Sequence, residues 1–150
     1  MNQINTVPPA MAAGMGAMMA VYAIVILVLW VLQVVAYWKI FEKAGEQGWK
    51  SIIPVYSDYI LYRIAWDTKP FWVLLGLAAL NLLLSWIPVA GVVFSFITGI
   101  LAVIIEILLY VKLSRAFGHG SGFAAGLVFL STIFVLILGF DSSEYLGPQE

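Results

Sequence analysis

Four stretches of this sequence, residues 17–38, 70–87, 92–113 and 122–140, each run for about the width of a membrane with almost no charge. Crossing about 30 Å of hydrocarbon takes about 20 mostly apolar residues at a helical rise of about 1.5 Å each. Inside hydrocarbon every backbone N–H and C=O must be satisfied within its own segment, so such runs become helices. Charged residues make up only 10% of the chain, whereas a soluble globule carries about a quarter. The expected fold class is therefore all-α: a polytopic membrane protein with four transmembrane helices. An interfacial amphipathic helix is expected between spans 1 and 2. The expected organisation is an uncharged outer tail (1–16), a four-helix transmembrane domain (17–140) and an acidic outer tail (141–150).

Residues 49–69 hold Trp49, Trp66, Tyr56, Tyr59 and Tyr62 beside Lys50, Asp58, Arg63, Asp67 and Lys69. Aromatic rings with polar tips next to charges suit the headgroup layer, and this defines the expected interfacial helix, with Pro54 near its start. Orientation is read from Lys and Arg alone. Lys39, Lys43, Lys50, Arg63 and Lys69 lie between spans 1 and 2, and Lys112 and Arg115 lie around the loop after span 3. With four spans all seven fall on one side, which is expected to be cytoplasmic, with both termini outside. Pro88 and Gly91 make a turn without charge, so spans 2 and 3 should form an antiparallel hairpin.

Composition removes several functions. The net charge of −1 offers no basic stripe to a nucleic acid. There is no cysteine, so thiolate chemistry and disulfides are excluded. His119 is the only histidine, and one imidazole without a second ligand or base makes neither a metal site nor a nucleophile dyad. No metal and no cofactor are expected, and no paired acid, base or nucleophile marks an enzyme.

Lipid gives helices no hydrophobic reason to associate, so small residues permitting close approach should mark the packing faces. Gly91, Ser95 and Gly99 are each four apart in span 3, and Gly122 and Gly126 are so spaced in span 4. Continuing the span 3 face gives Ala102, Glu106 and Tyr110, so Glu106 should point into the bundle. An acid within a span is costly and marks a functional site by default. It is the only acid well inside a span, and with no second intramembrane charge the structural reading, a polar contact to Tyr110 or Arg63, is preferred over a proton or cation site. Asn81, in mid-span 2, is read first as interhelical glue. Lys50, Tyr56, Asp58, Tyr59 and Arg63 form a candidate lipid-headgroup site, weighed against a plain interfacial anchor.

The run WKIFEKAGEQGWKSIIPVYSDYILYRIA (38–65), with the later LSRAFGHGSGFAAGLVFL and ILGFDSSEYLGP, resembles a family of small bacterial membrane proteins of unknown function, over 38–148. Ser131 and Ser57 stand where that pattern has Pro and Asn. The resemblance implies a bacterial cytoplasmic membrane protein and transfers no catalytic residue. Members are sometimes labelled signal peptidase-like. A Ser/Lys dyad of that kind acts on the outer face, whereas every lysine here is expected inside.

The leading expectation is a non-enzymatic membrane interaction or lipid-binding module. Its partners are the lipid bilayer and either a second copy or another membrane protein. The alternative is a small-solute, ion or proton transporter or channel subunit acting as an oligomer, with Glu106 and Asn81 lining the path.

Overall fold

The computed structural model describes residues 8–149. Among them it is all-α, with six α-helices and no strand. They are α1 (Pro9–Lys43), α2 (Pro54–Ala65), α3 (Lys69–Leu84), α4 (Pro88–Ala116), α5 (Ser121–Phe129) and α6 (Ser131–Phe140). A short 3-10 helix (Gly48–Ile52) precedes α2. Two helices, α1 and α4, are long and apolar enough to cross a membrane, with mean hydropathies of 2.6 and 2.7 over their most apolar windows. Four continuous spans are therefore not what forms.

Local chemistry explains where α1 and α4 stop. Gly45 takes φ +76° and Gly118 φ +73°, the left-handed conformation that glycine adopts without steric cost. After α1, Glu46 N–H donates to Phe41 O (2.8 Å) and Gly45 N–H to Glu42 O (3.0 Å). After α4, His119 N–H donates to Ser114 O and Gly118 N–H to Arg115 O, both at 2.9 Å. Both are paired six-to-one and five-to-two closures that satisfy the last helical carbonyls. Proline occupies the first turn of α1, α2, α3 and α4, where its missing N–H costs nothing.

Three expectations about segments need correction. Residues 9–16 are not a tail but the first turns of α1, which at 35 residues is about 52 Å long; residues 1–7 of the expected tail lie outside the described residues. The segment 49–69 is not one interfacial helix. A helix does begin at Pro54 as expected, but it ends at Ala65, is preceded by a separate 3-10 turn, and buries Ser57, Ile60, Leu61, Tyr62, Ile64 and Ala65. Span 4 is not one helix either. Leu130, at φ −131° and ψ 45°, closes α5 and opens α6. The ring of Phe134 folds back over Gly126 and meets Phe123 edge-on at 5.1 Å, so α5 and α6 form a tight helical hairpin.

That hairpin leaves and returns at one end of the molecule, the end holding the basic residues. His119, just before α5, is 3.0 Å from Asp141, just after α6. Lys43, at the end of α1, places its ammonium 2.7 Å from the same carboxylate. The 141–150 segment is not a free tail on the opposite side, as the four-span reading required, because its described residues lie across this basic end. Leu146 N–H donates to Ala116 O (2.7 Å) and Gln149 N–H to Ala65 O (3.1 Å). Tyr145 Oη–H donates to Ile64 O (2.8 Å), and Lys112 Nζ to Gln149 O (3.1 Å). Each contact satisfies a carbonyl or an ammonium that a helix end would otherwise leave bare.

The core sits at this end too. Ile40 and Phe41 of α1, Ile60 of α2, Leu113 of α4, Leu127 of α5 and Leu138 of α6 are fully buried. α1 meets α6 where Gly139 lies against Ala36: a Cβ added at Gly139 would stand 2.8 Å from Ala36 O. By contrast, the first 25 or so residues of α1, from Ala10 to Val35, are almost wholly exposed. Gly139→Leu should cost about 2 kcal/mol through overpacking, read as a lower melting temperature in detergent by tryptophan fluorescence. Gly99→Leu, at a glycine with no atom within 4 Å of its Cβ position, should melt like wild type.

Candidate functional site

The structure supplies the second acid that the sequence reading lacked. Asp58 of α2 and Glu106 of α4 line one cavity of about 370 Å³, together with Tyr37 of α1, Tyr62 of α2 and Tyr110 of α4. Its remaining walls are apolar, among them Leu74, Leu75 and Ala78 of α3 and Ala102 of α4. The reason is the path of α2. Its C-terminal end, Ala65, is at the basic end, so Asp58, seven residues earlier, lies about 10 Å deeper. Glu106 is ten residues before the end of α4 and lies about 15 Å deep. Tyr110 sits between Glu106 and Ser131, the first residue of α6. Among the described residues neither Asp58 nor Glu106 forms an ion pair. Glu106 is exposed along this groove, not enclosed among the small residues of α4 as its helical face suggested.

The five residues read as a headgroup cluster do not share one site, although the Lys50 ammonium does lie over the Tyr56 ring, 6.0 Å from its centre. Lys50 and Arg63 both engage Glu46, at 2.6 and 2.7 Å; one carboxylate between two cations leaves a net positive charge there, with Arg63 half exposed, and Arg63 is not the partner of Glu106. Tyr56 and Tyr59 stack at 6.0 Å, and Tyr59 meets Phe71 edge-on at 5.5 Å and Trp72 at 6.2 Å. These rings line an almost purely apolar cavity of about 340 Å³ with Ile53, Val55 and Leu75. Asp58 alone faces the acid groove.

Asn81 joins α3 to α4. Ser95 Oγ–H donates to Asn81 Oδ1 (2.7 Å), and Asn81 Nδ2–H donates to Thr98 Oγ1 (3.2 Å). These groups line a further cavity with Gly99 that shares Leu74, Ala78 and Ala102 with the acid groove. Polar groups thus follow one line from Asn81, through Glu106, to Asp58 and Tyr37. Of the small residues, Gly91 touches Leu84 O across the α3–α4 turn, and Gly126 receives Phe134 within its own hairpin. Gly99 and Gly122 have no neighbour within 4 Å of a Cβ position. The missed residues are Tyr37 and Tyr62. Tyr37 had a signal: it stands four residues after Gln33, so the two polar side chains share a face of the first span.

The basic end is held by a second polar centre. Lys43 Nζ donates to Leu138 O (2.6 Å), Asp141 O (2.8 Å) and Asp141 Oδ1 (2.7 Å). A cation at those carbonyls opposes the negative end of the α6 dipole. So engaged, Lys43 is a structural cation and not a free base for Ser143, 3.4 Å away. Burial pushes the Asp141 carboxyl up, but hydrogen bonds from Lys43 and Ser143 outweigh it and hold the group below its ordinary value. The unfolded chain therefore binds this proton first as the pH falls. The stabilisation is complete above the unfolded value, near 4, and is lost as the pH drops toward the folded one. Asp141→Asn should lower stability at pH 7 by about 1–2 kcal/mol and flatten the acid limb of a melting-temperature profile between pH 5 and pH 2.

Fold and site together define an all-α protein with two helices fit to cross a membrane and a buried-end charge cluster beside an acid-lined groove. A family model for a family of unknown function, DUF5684, matches residues 49–148, two thirds of the chain. The chain belongs to that family, which fits the resemblance to a family of unknown function. No curated protein and no solved structure matches it.

Proposed function

We propose that this chain is a polytopic membrane protein whose acid-lined groove takes up protons within the bilayer, as part of a transport pathway. The observation that carries this reading is the meeting of Asp58 and Glu106, unpaired, in one cavity. A carboxylate in hydrocarbon is expensive and persists where it serves an ion or proton path. Two carboxylates with three tyrosine hydroxyls supply the alternating donors and acceptors that a relay needs.

The membrane assignment draws on α1. Met18, Val21, Ile24 and Trp30 are each more than half exposed, an apolar surface far larger than a soluble monomer leaves uncovered. In the proposed topology α1 crosses toward the basic side, α3 returns and α4 crosses again. The α5–α6 hairpin, with helices of nine and ten residues or about 15 Å each, dips in and comes back. All seven Lys and Arg residues then stay on the cytoplasmic side, with the C-terminus beside them and the N-terminus opposite. A lipid-headgroup module has less support, because of the five residues of that cluster only Asp58 lines the acid groove, while Lys50 and Arg63 share the Glu46 carboxylate elsewhere.

Two measurements test this. In vesicles loaded with a pH-reporting dye, an imposed potential should drive proton entry through the wild type, and Glu106→Gln and Asp58→Asn should each abolish it. Wild-type vesicles no leakier than empty ones would end the proposal. The absence of native cysteine makes topology direct to read. An impermeant maleimide should label Gln47→Cys and Gln149→Cys from one side and Ala13→Cys from the other.

A further inference from the structure

Behind Asp58 lies a second, smaller cavity that the proton reading does not use. It has a volume of about 160 Å³ and is walled by Trp30, Gln33, Val34 and Tyr37 of α1, Ser51 and Ile52 of the 3-10 helix, and Pro54, Ser57 and Asp58 of α2. Two of its polar atoms are fully buried with no hydrogen-bond partner: Gln33 Oε1 and Ser51 Oγ. Ser51 as a whole is only 5% exposed and Ser57 only 7%. Leaving such atoms unsatisfied costs about 1–3 kcal/mol each, so the cavity is built for an occupant that supplies what they lack.

The lining side chains offer several oxygens: the Gln33 amide carbonyl, the Tyr37, Ser51 and Ser57 hydroxyls and the Asp58 carboxylate. Oxygen ligands select hard cations. A single carboxylate balances a single positive charge, and among the described residues no cluster of three His, Cys, Asp or Glu exists to hold a multivalent ion. The volume accommodates an ion with a few waters, each taking about 30 Å³. Trp30, Val34, Ile52 and Pro54 supply an apolar wall on which an ion–carboxylate attraction is weakly screened. Asp58 and Tyr37 line this cavity and the acid groove alike, so the two compartments meet at those side chains.

We propose that this cavity is a sodium site, in which Gln33 Oε1, Ser51 Oγ, Ser57 Oγ and the Asp58 carboxylate hold one monovalent cation. It deepens the proton reading and rests on it: Asp58 is the group at which the cation and the proton meet. Glu106 and Tyr110 of α4, Tyr37 of α1 and Tyr62 of α2 face that carboxylate from the groove side, and no lysine or arginine lines either cavity.

The test is equilibrium binding of radioactive sodium to the purified full-length chain in choline buffer. One saturable sodium per chain is expected. Ser51→Ala and Gln33→Leu should each weaken it by about tenfold or more, and Gln33→Glu, which keeps an oxygen and adds a negative charge, should tighten it. Wild-type protein that binds no saturable sodium overturns the site, as does binding indifferent to both Ser51→Ala and Gln33→Leu; neither result depends on a variant folding poorly. Absent sodium binding alongside Glu106-dependent proton entry removes the sodium site alone. Side-chain-dependent sodium binding in a protein whose vesicles pass no protons removes the proton reading instead.

Discussion

The ammonium of Lys43 is the contact on which the arrangement turns. It ends the longest helix and reaches the carbonyls of Leu138 and Asp141 and the Asp141 carboxylate, all within 2.8 Å. Those groups belong to the end of α6, almost a hundred residues away. Because α6 is pinned there, it runs back toward the basic end, and Gly139 comes against Ala36. α5 and α6 must then turn on each other at Leu130. The C-terminal segment, delivered to the same place, covers the carbonyls of Ile64, Ala65 and Ala116. One cation thus anchors the returning path of the last thirty residues at the end where the helix ends are sealed.

Much of the frame was legible in the residues. The apolar runs locate α1, α3 and α4, Gly45 marks the end of α1, and Pro88 with Gly91 marks the α3–α4 turn. The break at Leu130 was not legible, because neither proline nor glycine stands there. A run such as FLSTIF continues a helix as readily as it divides one. The one local trace is Ser131, which stands where the resembling family has Pro, a residue suited to a helix's first turn; in this chain the contacts of Lys43 and Ala36 with the far end of the segment hold α6 on its returning path. The same reason hid the end of α2. Its aromatic and charged residues look interfacial one by one, yet Ile60 and Ala65 are completely buried.

The site was legible in part. Glu106 and Asn81 stood out as polar residues within apolar runs, and Asn81 does join α3 to α4 through Ser95 and Thr98. The place of Asp58 was concealed by its neighbours. Composition grouped it with Lys50, Tyr56, Tyr59 and Arg63, whereas helical geometry separates them. Glu46 bridges the two cations, Lys50 also lies over Tyr56, the aromatic rings pack together, and the Asp58 carboxylate lines the groove with Glu106. Residues adjacent in a sequence share an environment only when a helix puts them on one face. That condition requires knowing what packs against each face.

The returning α5–α6 hairpin also bears on biogenesis. With three crossings, the segment bearing Asp141 and Glu144 never has to be carried through hydrocarbon. Insertion would then need only the uncharged N-terminal end and the uncharged α3–α4 turn to be translocated, and both are free of Lys, Arg, Asp and Glu. Every charged loop can remain on the side where the chain is synthesised. Parity follows from the proposed three crossings as well: they would put the two ends of the chain in different compartments, so that the bilayer would keep anything joined to one end apart from anything joined to the other.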